Sequence, residues 1–97
     1  MRAAVLLIDL HLADRHSLKE KRAAIRPLLE GLRRLASLSV AEVDHHDAWQ
    51  RAAVGVAVVA PDAAGLERVL STVRRYLDNQ LEVEVLSVSV SYWEGFE

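Results

Sequence analysis

Hydrophobic residues at the start of the chain alternate with a period of two, the pattern of a β-strand. The pattern covers residues 2–12, and both sides of the predicted strand carry aliphatic side chains. One side presents Leu6, Ile8, Leu10 and Leu12, and the other presents Val5, Leu7, Asp9 and His11. We expect both sides to be covered, because aliphatic side chains are stabilised by leaving water.

A helical pattern follows over residues 18–36. Ser17 and Glu20 have the spacing of a capping box, in which each side chain bonds a free backbone N–H. Behind them, apolar residues recur at helical spacing: Leu18, Ile25, Leu28, Leu29, Leu32 and Leu35. Pro27 lies inside this pattern and should bend the axis, because proline removes one backbone hydrogen bond. The apolar stripe continues on both sides of Pro27, which predicts a single bent helix.

Two strands and a turn are predicted next. Residues 37–45 form a strand whose faces the pattern leaves open, and the alternation of Val54, Val56 and Val58 marks a strand over 49–60. His45, His46 and Asp47 come between the two strands, at the position of a turn.

A second helix and a last strand complete the pattern. Asp62 can cap a helix whose apolar stripe runs through residues 66–77. Residues 81–93 form the final strand, in which the alternation changes parity between Val85 and Leu86. A β-bulge produces a shift of this kind.

The element order βαββαβ predicts an α+β fold, the ferredoxin-like sandwich, in a single domain spanning residues 1–97. In this fold a four-stranded antiparallel sheet carries both helices on one face, because crossover connections are right-handed. Many unrelated functions occur on this fold, so the fold alone names none of them.

The sheet face opposite the helices is predicted to be an interface. Aliphatic and small side chains coincide there on the first and third strands, and an exposed apolar patch of this kind indicates self-association into a dimer or higher homo-oligomer. The alternative interpretation is scattered surface aliphatics. The candidate interface residues are Val5, Leu7, Ala53, Gly55 and Ala57, with Trp49 and Trp93 as aromatic anchors.

Composition narrows the function classes. The 97 residues include no cysteine, which fits a reducing cytoplasm and excludes thiolate chemistry. A formal net charge of −2 gives no overall electrostatic footprint for nucleic acid, and no DNA partner is predicted. No apolar run approaches the roughly 18 residues that a membrane span needs. Arginine predominates among the basic residues while Asn, Gln and Met are scarce, a bias typical of a thermophile or a GC-rich genome.

Positive charge concentrates on the first helix, whose cations Lys19, Lys21 and Arg22 are expected to be solvated or to bind an anion. Lys19, Arg22 and Arg26 fall on one stripe, and Arg15 and His16 precede the helix N-terminus, whose free N–H groups attract anions. The set therefore indicates a contact with phosphate or an RNA backbone. The absence of an aromatic platform favours the alternative, a solvated helix face with i,i+4 ion pairs such as Arg26 with Glu30.

No catalytic residue, cofactor or metal site is predicted. His45, His46 and Asp47 favour a turn over a metal site, because adjacent extended residues point apart and no second ligand pair has suitable spacing. Whether they bind a metal is left open. Glu42, Asp44 and Asp47 are predicted to form salt bridges with the basic helix of the same or a neighbouring subunit rather than an acid–base pair.

Two stretches resemble the bacterial YlxP-like domain of unknown function. They are His16 to Arg22 and Val40 to Asp44, the latter followed by Asp47, Trp49 and Gln50. The resemblance continues to the strand at 82–85. It implies a ferredoxin-like protein with no established catalytic activity, whose gene often neighbours those of a translation initiation factor and a ribosome-binding factor. This context favours ribosomal RNA or a ribosome-associated protein as partner.

Two functions follow as hypotheses. The first is a non-enzymatic, self-associating accessory protein that contacts RNA through the start of the first helix. The second is a regulatory module that binds a small molecule at a subunit boundary, in a pocket with Trp49 and His46.

Overall fold

The computed structural model describes residues 1–95, and it confirms the predicted fold and element order. The bounds fall within three residues of the predicted ones. The elements are β1 (Arg2–His11), α1 (Leu18–Leu35), β2 (Leu38–Asp44), β3 (Arg51–Ala60), α2 (Ala63–Asp78) and β4 (Glu84–Trp93).

Both helices begin at the predicted caps. Ser17 Oγ accepts a hydrogen bond from the Glu20 N–H at 3.1 Å, and an Asp62 oxygen accepts one from the Gly65 N–H at 2.7 Å. The reciprocal bond of the capping box is shifted by one residue, because the Glu20 carboxylate accepts from the His16 N–H at 2.9 Å. α1 runs without interruption through Pro27, as predicted.

The strands form one antiparallel sheet in the order β2-β3-β1-β4. The predicted bulge is confirmed, because Asp9 pairs with Ser87 and Leu10 with Val85, which leaves Leu86 as the extra residue. A second bulge, which the sequence did not predict, leaves Val43 without a partner on β3.

The core lies between the sheet and the two helices. Leu6, Ile8 and Leu10 of β1 and Val54 of β3 are fully buried there. Burying one such side chain contributes about 1.5–3 kcal/mol relative to leaving it exposed. The pattern of alternation therefore identified the helix-facing side of the sheet correctly.

A close contact fixes α2 against α1. The Tyr76 hydroxyl donates to the Leu28 carbonyl oxygen at 3.2 Å. The ring end approaches so closely that a Cβ atom at Gly31 would overlap it. Burial raises the pKa of Tyr76 above its ordinary value of 10.0, and the charge of Arg34 lowers it in part.

Candidate functional surfaces

The open face of the sheet, which lies opposite the helices, is apolar at one end. Val5 and Leu7 of β1 and Val59 of β3 are 54%, 43% and 63% exposed. Trp93 lies on the same side, because its backbone pairs with Ala3 at the start of β1. At this end β1 and β3 therefore present an aliphatic surface with Trp93 at its border, and β4 presents Ser89 and Ser91 beside it.

The open face also has relief, because large and small side chains lie on different strands. Val5 is paired with Ala57 and Leu7 with Gly55, so a ridge on β1 runs beside a trough on β3. Val43, the extra residue of the β2 bulge, lies over the Gly55 end of this trough. A Cβ atom at Gly55 would lie 2.9 Å from Val43 Cγ1.

The other end of the open face is charged. Asp9 lies 3.6 Å from Arg51 and 4.0 Å from the His45 ring nitrogen, and the Ser87 hydroxyl donates to its second oxygen at 3.4 Å. These side chains reach Asp9 from three other parts of the sheet. The open face is therefore polar where β1 ends and apolar where β1 begins.

This charged cluster corrects one predicted interface residue. Ala53 lies on the open face in register with Asp9, as expected, but it is only 2% exposed. β3 separates β2 from β1, so the His45 side chain passes across β3 to approach Asp9. Ala53 is consequently covered within the chain and offers no surface to a partner.

The predicted ligand pocket is only partly assembled. Trp49 precedes β3 in a loop and is exposed. It lines an open depression that does not include His46, whose ring nitrogen lies 3.1 Å from the Glu42 carbonyl oxygen. The depression is lined by His16, Asp47, Ala48, Trp49, Gln50 and Arg51.

Three of the five predicted anion-binding residues share one surface. Lys19, Arg22 and Arg26, the outer stripe of α1, are exposed. Within residues 1–95 none of the three forms an ion pair, including the expected pair of Arg26 with Glu30. The outer stripe is therefore a set of cations without internal carboxylate partners.

Arg22 and Arg26 also line a groove between α1 and β2 of about 260 Å³. Arg33 lines the same groove, and its guanidinium donates to the Val40 carbonyl oxygen at 2.8 Å. Glu30 and Glu42 are the acidic residues of the groove.

The structure separates Arg15 and His16 from the outer stripe. Arg15 forms an ion pair with Glu82 at 2.9 Å and lines a different depression. His16 borders the depression that contains Trp49, and its N–H bonds the Glu20 carboxylate. That carboxylate occupies the N-terminus of α1, where the sequence predicted room for an anion.

Lys21 is the residue that the sequence interpretation placed wrongly. As part of the basic motif it was expected to be solvated or to bind an anion, but it is 1% exposed. Its ammonium group contacts the Glu42 carboxylate at 2.8 Å and donates to the His45 carbonyl oxygen at 2.6 Å. The prediction of a salt bridge from Glu42 to the basic helix is confirmed.

A signal for this burial was present in the sequence. Lys21, Ile25, Leu28 and Leu32 are spaced by four, three and four residues, so Lys21 continues the buried stripe of α1 by one turn. One of its two oxygen partners, the His45 carbonyl, belongs to the β2–β3 turn, where His45 has a left-handed φ of 61°.

Two absences can be stated for residues 1–95. No group of three or more His, Cys, Asp or Glu side chains in this range is arranged to hold a metal ion. Neither helix in this range is long and apolar enough to cross a membrane.

Comparison with known proteins identifies the family. Residues 3–90 match the model of the family described as protein of unknown function (DUF503). The chain is also 34% identical over 71 residues to the uncharacterized protein YlxP of Bacillus subtilis (strain 168). These aligned residues are 73% of this chain and 77% of that protein. The chain therefore belongs to the DUF503 family, as the resemblance of its motifs indicated.

Proposed function

We propose that this member of the DUF503 family is a non-enzymatic accessory protein that binds the phosphate backbone of ribosomal RNA through the outer stripe of α1. The observation that carries the proposal is that Lys19, Arg22 and Arg26 are exposed on one helix face without an ion pair within residues 1–95.

Cations that form no ion pair within residues 1–95 lie on both helices, Arg68, Arg74 and Arg75 of α2 included. The formal net charge is −2, yet three neighbouring cations remain uncompensated on α1. Carboxylates elsewhere pair with Arg2, His11 and Arg15. A polyanion would therefore be attracted to the helical layer, and local attraction of this kind orients a charged partner.

The side chains of the outer stripe fit backbone contact rather than base recognition. They span eight residues, about 10 Å along the helix axis. Residues 18–35 contain no aromatic side chain on which a base could stack. Arginine binds phosphate oxygens through its planar set of N–H donors. Contacts to phosphate fix position without reading sequence, so we expect recognition of RNA shape.

The choice of ribosomal RNA among polyanions rests on the family resemblance. Genes for a translation initiation factor and a ribosome-binding factor often accompany YlxP-like genes, which favours a partner near the ribosome.

The test is co-sedimentation with purified small and large ribosomal subunits across a potassium chloride series. The wild type is compared with Arg22→Glu/Arg26→Glu. The matched control is Arg68→Glu/Arg74→Glu, which makes the same charge change at exposed positions of α2. Three phosphate contacts predict a slope of log K against log salt of about −2 to −3.

We expect the wild type and the α2 control to sediment with one subunit at low salt, and the α1 variant to lose at least tenfold in affinity. Equal loss in both variants would show that net charge alone drives binding. Absence of wild-type binding at low salt would refute the proposed function.

A further inference from the structure

We propose that the open face of the sheet binds a second copy of this chain, with the two-fold axis parallel to the strands and between β1 and β3. Two sheets then pack face to face, and the helices of both copies lie on the outside. The contact is independent of the outer stripe of α1, which belongs to the opposite, helical layer of the molecule.

The area of the face is sufficient for a specific dimer. Four strands about 4.8 Å apart, with up to ten residues of about 3.3 Å each, cover roughly 600 Å². Two copies would bury about 1,200 Å², the lower limit of standard specific interfaces. The two sheets must therefore overlap almost completely. An axis between β3 and β1, the two central strands, provides this overlap.

The relief of the face is self-complementary about this axis. Rotation places β1 of one copy over β3 of the other and β2 over β4. Because Val5 and Ala57 are paired in register, Val5 then stands opposite Ala57 of the second copy, and Leu7 stands opposite its Gly55. Val5 of each copy thus enters the trough at Ala57 of the other, and Leu7 packs on Val43, whose side chain lies over Gly55. These reciprocal contacts are those of an isologous interface.

The polarity of the face fixes the direction of the axis. A two-fold axis along the strands brings the apolar end onto the apolar end. It also brings Arg51 over the end of β1 that carries Asp9 in the second copy. An axis across the strands would instead place Val59 against the charged end, which leaves charged groups without complementary partners.

A second copy is the occupant that these features favour. Ridge and trough match each other in spacing because both come from one pair of strands in register. The charged end holds both signs, Asp9 and Glu84 against Arg51, so it complements itself under the same rotation. An unrelated partner would have to reproduce both patterns by coincidence.

The first experiment is sedimentation velocity from about 1 to 100 μM protein. We expect the wild type to be a dimer in this range and Leu7→Glu to be a monomer. The dissociation constant of the Leu7→Glu dimer should be at least 30-fold higher than that of the wild type. The matched control is Leu81→Glu, the same substitution at a residue that is 96% exposed and outside the strands. Circular dichroism and thermal melting establish that each variant is folded.

The second experiment tests the axis. The chain has no cysteine, so Val59→Cys provides a single thiol. Strand and sheet spacings place the two copies of residue 59 about 11 Å apart in the proposed dimer, and more than about 20 Å apart if the axis crosses the strands. We expect a short bismaleimide to link Val59→Cys dimers and not dimers of Ser71→Cys, which is exposed on α2.

A wild type that stays monomeric at 100 μM overturns the proposal. A dimer that Leu7→Glu leaves intact overturns the assignment to the open face, and a dissociated Leu7→Glu without a Val59→Cys link overturns the axis. None of these results affects ribosomal co-sedimentation by the outer stripe, so the two proposals fail separately.

Discussion

Neighbouring cations on the inner and outer surfaces of α1 differ in burial and in their partners. Lys21 and Arg22 are adjacent in the sequence, yet Lys21 is buried between two oxygen atoms of the β2 end while Arg22 is exposed without an ion pair within residues 1–95. Taking an ammonium group out of water costs several kcal/mol, and the partners Glu42 and His45 offset that cost. Arg22 keeps its hydration and can exchange it for a ligand.

This contrast teaches that charge on a helix has two separate uses here. The inner cation holds α1 to the edge strand β2 across the bulge at Val43. The outer cations contribute little to folding and so remain available for a partner. Substitutions on the inner surface should therefore change stability, and substitutions on the outer surface should change binding.

The largest effect is expected for Lys21→Ala. Removing this side chain leaves the Glu42 carboxylate, whose side chain is 20% exposed, without its cation. It also leaves the His45 carbonyl oxygen without the 2.6 Å donor. Breaking a buried pair in this way costs about 3 kcal/mol. Urea unfolding measures the loss, and Lys19→Ala on the outer surface is the matched control, with a change below about 0.5 kcal/mol.

A double substitution distinguishes two contributions to the free energy of unfolding. One is the cost of leaving a buried charge without its partner, and the other is the net stabilisation by the intact pair. In Lys21→Met/Glu42→Met both charges are replaced by flexible apolar side chains, so no buried charge is stranded. We expect this variant to recover most of the stability that Lys21→Ala loses. A double variant as unstable as Lys21→Ala would contradict the account and would assign the effect to packing or to the His45 carbonyl.

The next effect is expected for Gly31→Ala, on the side of α1 that faces α2. The added Cβ overlaps the end of the Tyr76 ring, so the ring must move and its hydrogen bond to the Leu28 carbonyl oxygen is lost. Alanine improves helix propensity by about 1 kcal/mol, which offsets part of an overpacking cost of about 1–3 kcal/mol. We expect a net loss of about 1 kcal/mol in urea unfolding.

The Tyr76→Leu background tests the cause. With the ring end absent, the new Cβ meets no obstacle and only the propensity gain remains. Gly31→Ala should then be neutral or stabilising. An unchanged penalty in this background would place the strain elsewhere on α1.

The fold could be predicted because its signals are local and periodic. Alternation in β1 and β3, helical spacing in α1 and α2, and side-chain caps at Ser17 and Asp62 each lie within a few residues. The bulge in β4 was predicted for the same reason, because its parity change is visible in the order of Val85 and Leu86. Signals of this range fix element bounds within three residues.

The candidate surfaces could be predicted only in part, because they depend on contacts between distant segments. Ala53 has the right parity for the open face but is covered by a side chain from the β2–β3 turn, whose course depends on the left-handed backbone of His45. Arg15 has the right charge but is paired with Glu82, 67 residues away. Periodicity places a side chain on a face and does not say what crosses over it.

A smaller effect on stability is expected at high pH, from Tyr76 of α2, whose hydroxyl contacts α1. Burial raises the pKa of Tyr76 in the folded protein above 10.0, the value it has when unfolded. The stability that this group contributes is therefore complete below pH 10 and is lost as the pH rises through the folded pKa. We expect the free energy of unfolding to fall less steeply above pH 10 in Tyr76→Phe than in the wild type.

Tyr92 is the control for that measurement. Desolvation raises its pKa, the carboxylate of Glu67 raises it further, and Arg74 lowers it in part. Tyr92→Phe should therefore also flatten the alkaline slope, but it should not weaken the contact between α1 and α2. If Tyr92→Phe alone accounts for the whole alkaline loss, the assignment to Tyr76 is wrong.

The smallest effect on stability is expected for Arg22→Glu/Arg26→Glu, the variant with the largest expected effect on RNA binding. Arg22 and Arg26 are four residues apart on α1 and repel each other weakly in the wild type. The double reversal keeps a like-charged pair and adds one with Glu30, so urea unfolding should change by less than about 0.5 kcal/mol. A loss above 1 kcal/mol would show that the outer stripe supports the fold. A stripe that repels itself and stabilises nothing is better explained by a partner that supplies the missing negative charge.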